Sequence, residues 1–262
     1  MLSSHDTDLR LDLERPIRVF ACDIDGCLAA ASHADYELGP LGQMADLNRL
    51  SASDPSVPAL TLVTGRPHAY VDAVTQLLAI DLPVSFENGA GFATRRPYKA
   101  WLAPAAVAGA KRMRELAAVI EGMDHLVLQP GKLASLSVFA ADPLVLPLEE
   151  LEAEVTAVLA RSGFDMIIDP STDCMNVLLP GVDKASGFEQ LCMEIGVDPA
   201  EVAGIGDSVG DVEWLKACAV GIAPSNSVPQ ARAAASHPVD LIDVHAALAA
   251  YRALIEANRR LL

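Results

Sequence analysis

The chain has few aromatic residues: Phe, Tyr and Trp make up 5% of its 262 residues. Any core must be packed from Ala, Val, Leu and Ile, and apolar residues reach 52%, enough for one large domain or two modest ones. Basic residues are also scarce. Nineteen Lys and Arg stand against 35 Asp and Glu, a formal net charge of −16. That balance argues against nucleic acid as a partner, because neutralising its backbone takes clustered Lys and Arg. It argues equally against an anionic membrane surface. No Cys-x-x-Cys occurs among Cys22, Cys27, Cys174, Cys192 and Cys218, so zinc is not expected. The odd count points to reduced thiols in a cytosolic protein. The six histidines show no ligand spacing. No run reaches the roughly 18 apolar residues of a membrane helix. The apolar stretch Leu241–Leu254 is broken by Asp243, His245 and Arg252. Met1–Pro16 is polar, lacks the apolar run of a signal peptide and reads as a loose leader. The expectation is a soluble, cytoplasmic protein of unknown oligomeric state.

What is present begins with an apolar strand, Ile17–Asp23, that runs into two carboxylates one residue apart, Asp23 and Asp25, followed by Gly26. Side chains at i and i+2 of a strand point the same way. Ligands of parallel sheets bind at the carboxyl ends of strands. Two adjacent carboxylates that both stay ionised call for a cation, and hard oxygen ligands suit Mg²⁺. An Asp-Gly turn closing a strand would look the same on this segment alone. Three later segments repeat the arrangement. Ala59–Val63 ends in Thr64-Gly65-Arg66-Pro67, a hydroxyl and a turn at a helix start, which suits phosphate. Lys184 follows Pro180-Gly181-Val182-Asp183 and opens an amphipathic run to Ile195. Val202–Ile205 feeds Gly206-Asp207-Ser208-Val209-Gly210-Asp211. Four strand ends thus deliver a carboxylate pair, a hydroxyl, an ammonium and a second carboxylate pair.

Strand Ile17–Asp23, a helix near Pro40–Leu50, strand Ala59–Thr64, helix Pro67–Ile80 and strand Pro83–Phe86 predict parallel pairing through crossover helices. The pattern then changes. Helix Pro104–Glu121 and the runs Leu126–Gln129 and Leu133–Phe139 around Pro130-Gly131-Lys132 predict a hairpin. Helix Leu148–Arg161 and the runs Met166–Asp169 and Met175–Leu179 complete an α+β unit with antiparallel pairing. Alternation returns at Lys184, with helix Lys184–Ile195, strand Val202–Ile205, helix Ser208–Ala217, strand Ala219–Ile222 and helices to Leu262. The expected fold class is α/β: a Rossmann-like parallel sheet core with helices on both faces, residues 17–93 and 180–262, interrupted by an α+β cap over residues 94–179.

On the residues Asp23-Ile24-Asp25-Gly26, Thr64-Gly65-Arg66, Lys184, and Gly206-Asp207 with Asp211, the chain resembles the haloacid dehalogenase-like superfamily of phosphohydrolases. Glu87-Asn88-Gly89-Ala90 is similar to the segment leading into the large cap of its Cof-type, sugar-phosphatase branch. The resemblance implies a Mg²⁺-dependent phosphatase of a small phosphorylated metabolite, a sugar phosphate or a related polyol or acid. Asp23 would be the nucleophile that forms an aspartyl-phosphate, and Asp25 the general acid and base. Mg²⁺ would be held by the Asp23 carboxylate, the Asp25 backbone carbonyl and Asp207. Asp211 would orient metal-bound water or add a ligand. Thr64, Gly65 and Lys184 would bind the phosphoryl group. The chain departs from the family pattern at Cys27, where Thr or Val is usual, and at Gly210, where this branch often has Asn.

Ser208 reads as a helix cap, and Trp101 and Trp214 as packing residues. Arg95, Arg96, Lys99 and Lys132 are the cap's cations and read as solubilising charges. Two alternatives share the motifs: a phosphomutase, and a catalytically silent binding or regulatory member.

Overall fold

A computed structural model describes residues 9–31, 33–171 and 173–262. The leader's first eight residues (His5 among them), Ser32 and Thr172 lie outside the described residues. The chain opens with β1 (Val19–Cys22), α1 (Leu38–Leu50), β2 (Ala59–Leu62) and α2 (His68–Leu77). β3 (Val84–Phe86), β4 (Gly91–Thr94) and β5 (Lys99–Leu102) precede α3 (Pro104–Glu121). Next come β6 (Leu126–Leu128), β7 (Leu136–Ala140), α4 (Leu148–Ser162), β8 (Ile167–Pro170) and β9 (Met175–Leu178). The last third runs α5 (Lys184–Ile195), β10 (Val202–Ile205), α6 (Val212–Ala217) and β11 (Val220–Ala223). It ends with α7 (Pro229–Ala234), β12 (His237–Pro238) and α8 (Asp243–Leu261).

The main sheet has the order β12-β11-β10-β1-β2, and every pair in it is parallel. β1, β10 and β11 are buried along their whole length, which is why they read as unbroken runs rather than alternating ones. β1 lies between β10 and β2, so the chain winds away from it in both directions. The crevice at its carboxyl end is where such sheets bind ligands.

The third expected strand departs from the parallel scheme. β3 touches the main sheet through one parallel bridge, Val63 to Ser85. Its ladder is antiparallel with β4, and β4 pairs antiparallel with β5. The cause lies just after β3, where Glu87 and Asn88 both take left-handed backbone angles, φ 51° and 54°, and reverse the chain. A boundary at Thr94 therefore falls between two paired strands, and we place the start of the inserted unit after β5. The insertion is the antiparallel sheet β6-β7-β9-β8. Val138, Met175 and Val177 on one face of that sheet pack with Met113 and Leu116 of α3 and Leu151 and Val155 of α4.

The leader is not loose from Leu9 onward. Leu11 is fully buried in the main core, and its carbonyl accepts a hydrogen bond from Arg260 Nη2 at 2.7 Å. α8 ties this end of the molecule together. Buried Asn258 accepts from the Ile17 amide through Oδ1 (2.8 Å) and donates through Nδ2 to the carbonyls of Ile17 (2.8 Å) and Ser56 (3.0 Å).

Core and insertion are joined by buried polar contacts as well as by apolar ones. The Glu87 carboxylate accepts from the amides of Leu133 (2.8 Å), Ala134 (2.9 Å) and Ser135 (3.0 Å) and from Ser135 Oγ (3.1 Å). Beside it Lys132 Nζ donates to the Gly65 carbonyl at 2.6 Å. The loop between β6 and β7 is thus held against both the β2 and the β3 strand ends.

Replacing Asn258 by Ala leaves one amide and two carbonyls without their partner. Each buried orphan costs about 1–3 kcal/mol, so the expected loss is at least ~2 kcal/mol in denaturant unfolding, with an unchanged m-value. Glu87→Ala orphans three amides at the junction. A loss of at least ~3 kcal/mol should appear together with faster proteolytic nicking between Gln129 and Ser135. A stability within experimental error of wild type would show that the clasp carries no weight.

Candidate active site

The four sequence segments converge at the carboxyl edge of β1, β2 and β10. Asp23 follows β1 directly and is buried. Its Oδ1 accepts from the Ile24 amide at 2.7 Å, and its Oδ2 accepts from Lys184 Nζ at 2.6 Å. Lys184 is the first residue of α5. Asp183 caps that helix, accepting from Ser186 N at 2.7 Å, while Ser186 Oγ accepts from the Asp183 amide at 3.0 Å. The helix start can sit this close to the sheet because the loop after β3 has a glycine there. A Cβ on Gly89 (φ +89°) would collide with the Asp183 carbonyl and the backbone of Gly187.

Lys184 Nζ also donates to Asp211 Oδ1 at 2.7 Å. Asp211 is fully buried and collects most of the local donors. Trp214 Nε1 (2.9 Å) shares its Oδ1, while the Asp207 amide (3.1 Å), the Ser208 amide (2.8 Å) and Ser208 Oγ (2.6 Å) bond its Oδ2. Its lone pairs are occupied within the protein, so it orients its neighbours. Ser208 serves as the cap of the short turn, and Trp214 packs against Phe188 with its ring nitrogen on Asp211.

Asp207 packs against Gly26. A Cβ on Gly26 (φ +74°) would run into the Asp207 carboxylate, so this turn requires glycine twice over, for space and for backbone angle. Asp23, Asp207 and Asp211 each place one carboxylate oxygen within 4.8 Å of the others. The Asp25 side chain stands outside that cluster: it takes a two-pronged ion pair from Arg66, Nε at 2.7 Å and Nη2 at 2.6 Å. The metal contribution expected of Asp25 is that of its backbone carbonyl and does not call on this side chain. Arg66 in turn lies over the Tyr70 ring, 4.5 Å from its centroid.

Electrostatics separate these carboxylates. Burial, with further push from Asp211 and Asp25 and an opposing pull from Lys184, raises Asp23 to about 7. Burial followed by repulsion from Asp211 and Asp23 raises Asp207 to about 8. For Asp211 burial also pushes upward, but Lys184 and Ser208 win and hold it below the usual carboxylate range. Burial works against the Lys184 ammonium, yet Asp211 and Asp23 keep it charged well above its ordinary value. The core thus sets Asp23, Asp25, Asp207 and Asp211 against Lys184 and Arg66, an excess of negative charge.

Thr64 is buried, its Oγ1 accepting from the Arg66 amide at 3.3 Å, and Gly65 lines the cavity beside it. Asn88 Nδ2, 3.3 Å from where a Cβ on Gly65 would be, is buried without a partner among the described residues. It is a spare donor beside Gly65 at a cavity of about 220 Å³. The roof of that cavity is the insertion's sheet, which contributes Gln129, Ser137, Asn176 and Asp169.

Several expectations on the insertion change. Lys132 is half-buried, and desolvation lowers it to about 8 against the pull of Glu87; it is no solubilising charge. Arg95 pairs with Asp81 at 2.6 Å and Lys99 lies over Trp101, both away from the cavity. Cys27 is buried with its thiol pushed up by burial and by Asp207, which makes it an unreactive core residue. All five cysteines are free. No helix among the described residues is long and apolar enough to cross a membrane. Sequence reasoning did not find Asn226, whose Nδ2 donates to the Gly26 carbonyl at 2.9 Å and whose Oδ1 accepts from the Asp243 amide at 3.0 Å. Its surroundings, Pro224-Ser225-Asn226-Ser227, read as any loop. Asp169 was seen only as a strand end.

Residues 142–249 match a family profile described as haloacid dehalogenase-like hydrolase. A phosphoglycolate phosphatase of Methanococcoides burtonii is 25% identical over 221 residues, covering 84% of this chain and 89% of the relative. Another phosphoglycolate phosphatase, from Haloarcula marismortui, is 29% identical over 171 residues, 64% of this chain and 71% of its own. Among solved structures, a Thermoplasma acidophilum protein superposes with a TM-score of 0.73 at 17% identity, covering 93% of this chain and all of its own. With the four segments meeting at one sheet edge under an α+β roof, the chain is similar to the haloacid dehalogenase-like hydrolases over the matched residues and shares the fold of the solved neighbour.

Proposed function

We propose that this hydrolase is a Mg²⁺-dependent phosphatase that removes the phosphoryl group from a small phosphorylated polyol, sugar or acid. The enzyme class, phosphoric monoester hydrolase, is supported by the family match and by the phosphatases named among its relatives. The observation that carries the reading is the Asp23 carboxylate. It is pinned by the Lys184 ammonium and the Ile24 amide at the floor of a polar cavity.

A magnesium ion fits the residues present. The donors are all hard oxygens, carboxylate oxygens of Asp23 and Asp207 converge beside the braced Asp211, and the raised pKa values of Asp23 and Asp207 express surplus negative charge that a divalent cation would relieve. Asp23, Asp207 and the Asp25 carbonyl would hold it, and when bound it would neutralise charge on the phosphoryl oxygens. Asp211, with its oxygens occupied, keeps Lys184 and the Asp207 backbone in place.

The chemistry falls to the chain's own groups. An Asp23 oxygen attacks phosphorus, forming the aspartyl-phosphate as the bond to the leaving oxygen breaks. Asp25, held by Arg66, gives that oxygen a proton and later takes one from the water that hydrolyses the intermediate. Lys184, the Gly65 region and the spare Asn88 amide receive the phosphoryl oxygens. Fixed donors in a partly dehydrated cavity stabilise developing charge more than the same donors in water.

Asp23→Asn should leave a folded protein whose kcat for an aryl phosphate falls by at least ~1,000-fold, about 4 kcal/mol of barrier. Turnover within about tenfold of wild type would remove Asp23 as nucleophile.

Metal binding should be coupled to protons. Asp23 at about 7 and Asp207 at about 8 must both lose protons to act as ligands. Magnesium affinity should therefore rise between pH 6 and pH 8, with protons released on binding. Calorimetry in two buffers of different ionisation enthalpy measures both, and a pH-independent affinity would contradict the ligand assignment. Chelation, or Asp207→Ala, should abolish turnover.

A further inference from the structure

The roof of the cavity carries a row of side chains that the reaction does not use. Across the insertion's sheet, Ser137 of β7 stands opposite Asn176 of β9, and Asn176 stands opposite Asp169 of β8. On the other side, the Gln129 amide at the end of β6 donates to the Ser137 carbonyl at 2.9 Å, which extends the same register by one strand. Four strands therefore bring Gln129, Ser137, Asn176 and Asp169 into one transverse line, and all four line the cavity. Their apolar neighbours in sequence, Val138, Met175 and Val177, face the other way, into the α3–α4 packing, as strand alternation requires.

The line is internally ordered. Ser137 Oγ donates to Asn176 Oδ1 at 2.7 Å, which turns the Asn176 amide nitrogen toward Asp169, and these two side chains also hydrogen-bond. At its end, Asp169 hangs over the core: a Cβ on Gly210 would lie 3.5 Å from Asp169 Oδ2. Glycine at position 210, where the family often has Asn, leaves that space open.

The cations complete the picture. The described residues that line the cavity include two, Lys184 and Arg66, and each is engaged with core carboxylates, Asp23 and Asp211 for the first and Asp25 for the second. Lys132, a half-buried cation of the insertion, donates to the Gly65 carbonyl. A leaving group bearing a carboxylate would therefore meet Asp169 at the roof, where like charges in a partly dehydrated space repel. A leaving group bearing hydroxyls would meet the carboxylate, the two amides and the hydroxyl of this line.

We propose that the Gln129–Ser137–Asn176–Asp169 line reads the leaving group, with Asp169 as the specificity-determining residue. It favours uncharged, hydroxyl-rich leaving groups and rejects those with a second anion. This inference rests on the phosphatase reading and narrows it. It also separates this chain from relatives whose names specify phosphoglycolate, a substrate whose leaving group carries a carboxylate.

The test uses the full chain with Mg²⁺ and three probes: glycerol 1-phosphate, phosphoglycolate and p-nitrophenyl phosphate. Wild type should show a kcat/KM for the polyol ester at least about tenfold above that for phosphoglycolate. Asp169→Asn should raise kcat/KM for phosphoglycolate by about tenfold or more, chiefly through KM, and keep the aryl ester within about threefold. Ser137→Ala should lower the polyol ester alone. A wild-type preference for phosphoglycolate would overturn the inference, as would a ratio that Asp169→Asn leaves unmoved. Loss of aryl-ester turnover in Asp169→Asn would overturn it too, by placing the residue in the chemistry rather than in selection. Wild type inactive on all three esters would instead fell the phosphatase reading, and this inference with it.

Discussion

Lys184 places an ammonium group, with almost no exposure, between the carboxylates of Asp23 and Asp211, at 2.6 and 2.7 Å. A charge buried alone costs several kcal/mol, and its removal from water is repaid only when partners and geometry are both good. Here they are, and much of the surrounding structure follows from that need. α5 must begin where it does, so Asp183 caps it and Gly89 admits its first turn. Asp211 must remain ionised, so the Ser208 and Asp207 amides, the Ser208 hydroxyl and the Trp214 ring nitrogen all point at it. Removing any one partner would leave another charge unmatched. Fixity of this kind suits a nucleophile, because an attacking oxygen has to be held in line rather than found by diffusion.

The same residue type performs different tasks in this site according to what surrounds it. Asp211 is saturated with donors and acts as a brace. Asp25 is gripped by Arg66 on one side and open to the cavity on the other. Asp23 is buried and Asp207 half-buried, each with fewer donors, and they hold their protons to about 7 and 8. Asp169 belongs to a different layer and faces the others across the cavity. Aspartate identity alone distinguishes none of these; counts of donors and depth of burial do.

That contrast explains what was legible in the sequence. The strands β1, β2 and β10 could be read because each is an apolar run bounded by a turn, and the turn residues are the chemistry-bearing ones. α5 was readable from end to end, since Asp183 caps it and Gly196 closes it in a left-handed turn. The pair β4 and β5 was not readable. Gly91–Thr94 is short and mixed, and its pairing depends on the left-handed Glu87 and Asn88, a backbone that Asn tolerates but that is unusual for Glu. Burial of Leu11 and the three bonds of Asn258 join residues more than 200 positions apart, and no local pattern announces them. The line across the roof is hidden for the same reason. Each member is an ordinary polar residue on its own strand, and only cross-strand register aligns them.

The chain's overall charge sharpens the role of the site's few cations. A net −16 spread over the surface repels a phosphorylated substrate at long range, but exposed charges are screened within about 8–10 Å at ordinary salt. Inside the cavity that screening fails, and discrimination passes to the few groups that line it. The floor carries more carboxylates than cations, which is the feature that supports the proposed divalent cation there. The roof adds no cation. The clasp of Glu87 on Leu133–Ser135 and the contact of Lys132 with Gly65 hold roof to floor at a set distance. A roof held in place, negative at one end and hydrogen-bonding along its length, discriminates by charge and hydroxyl pattern without having to move.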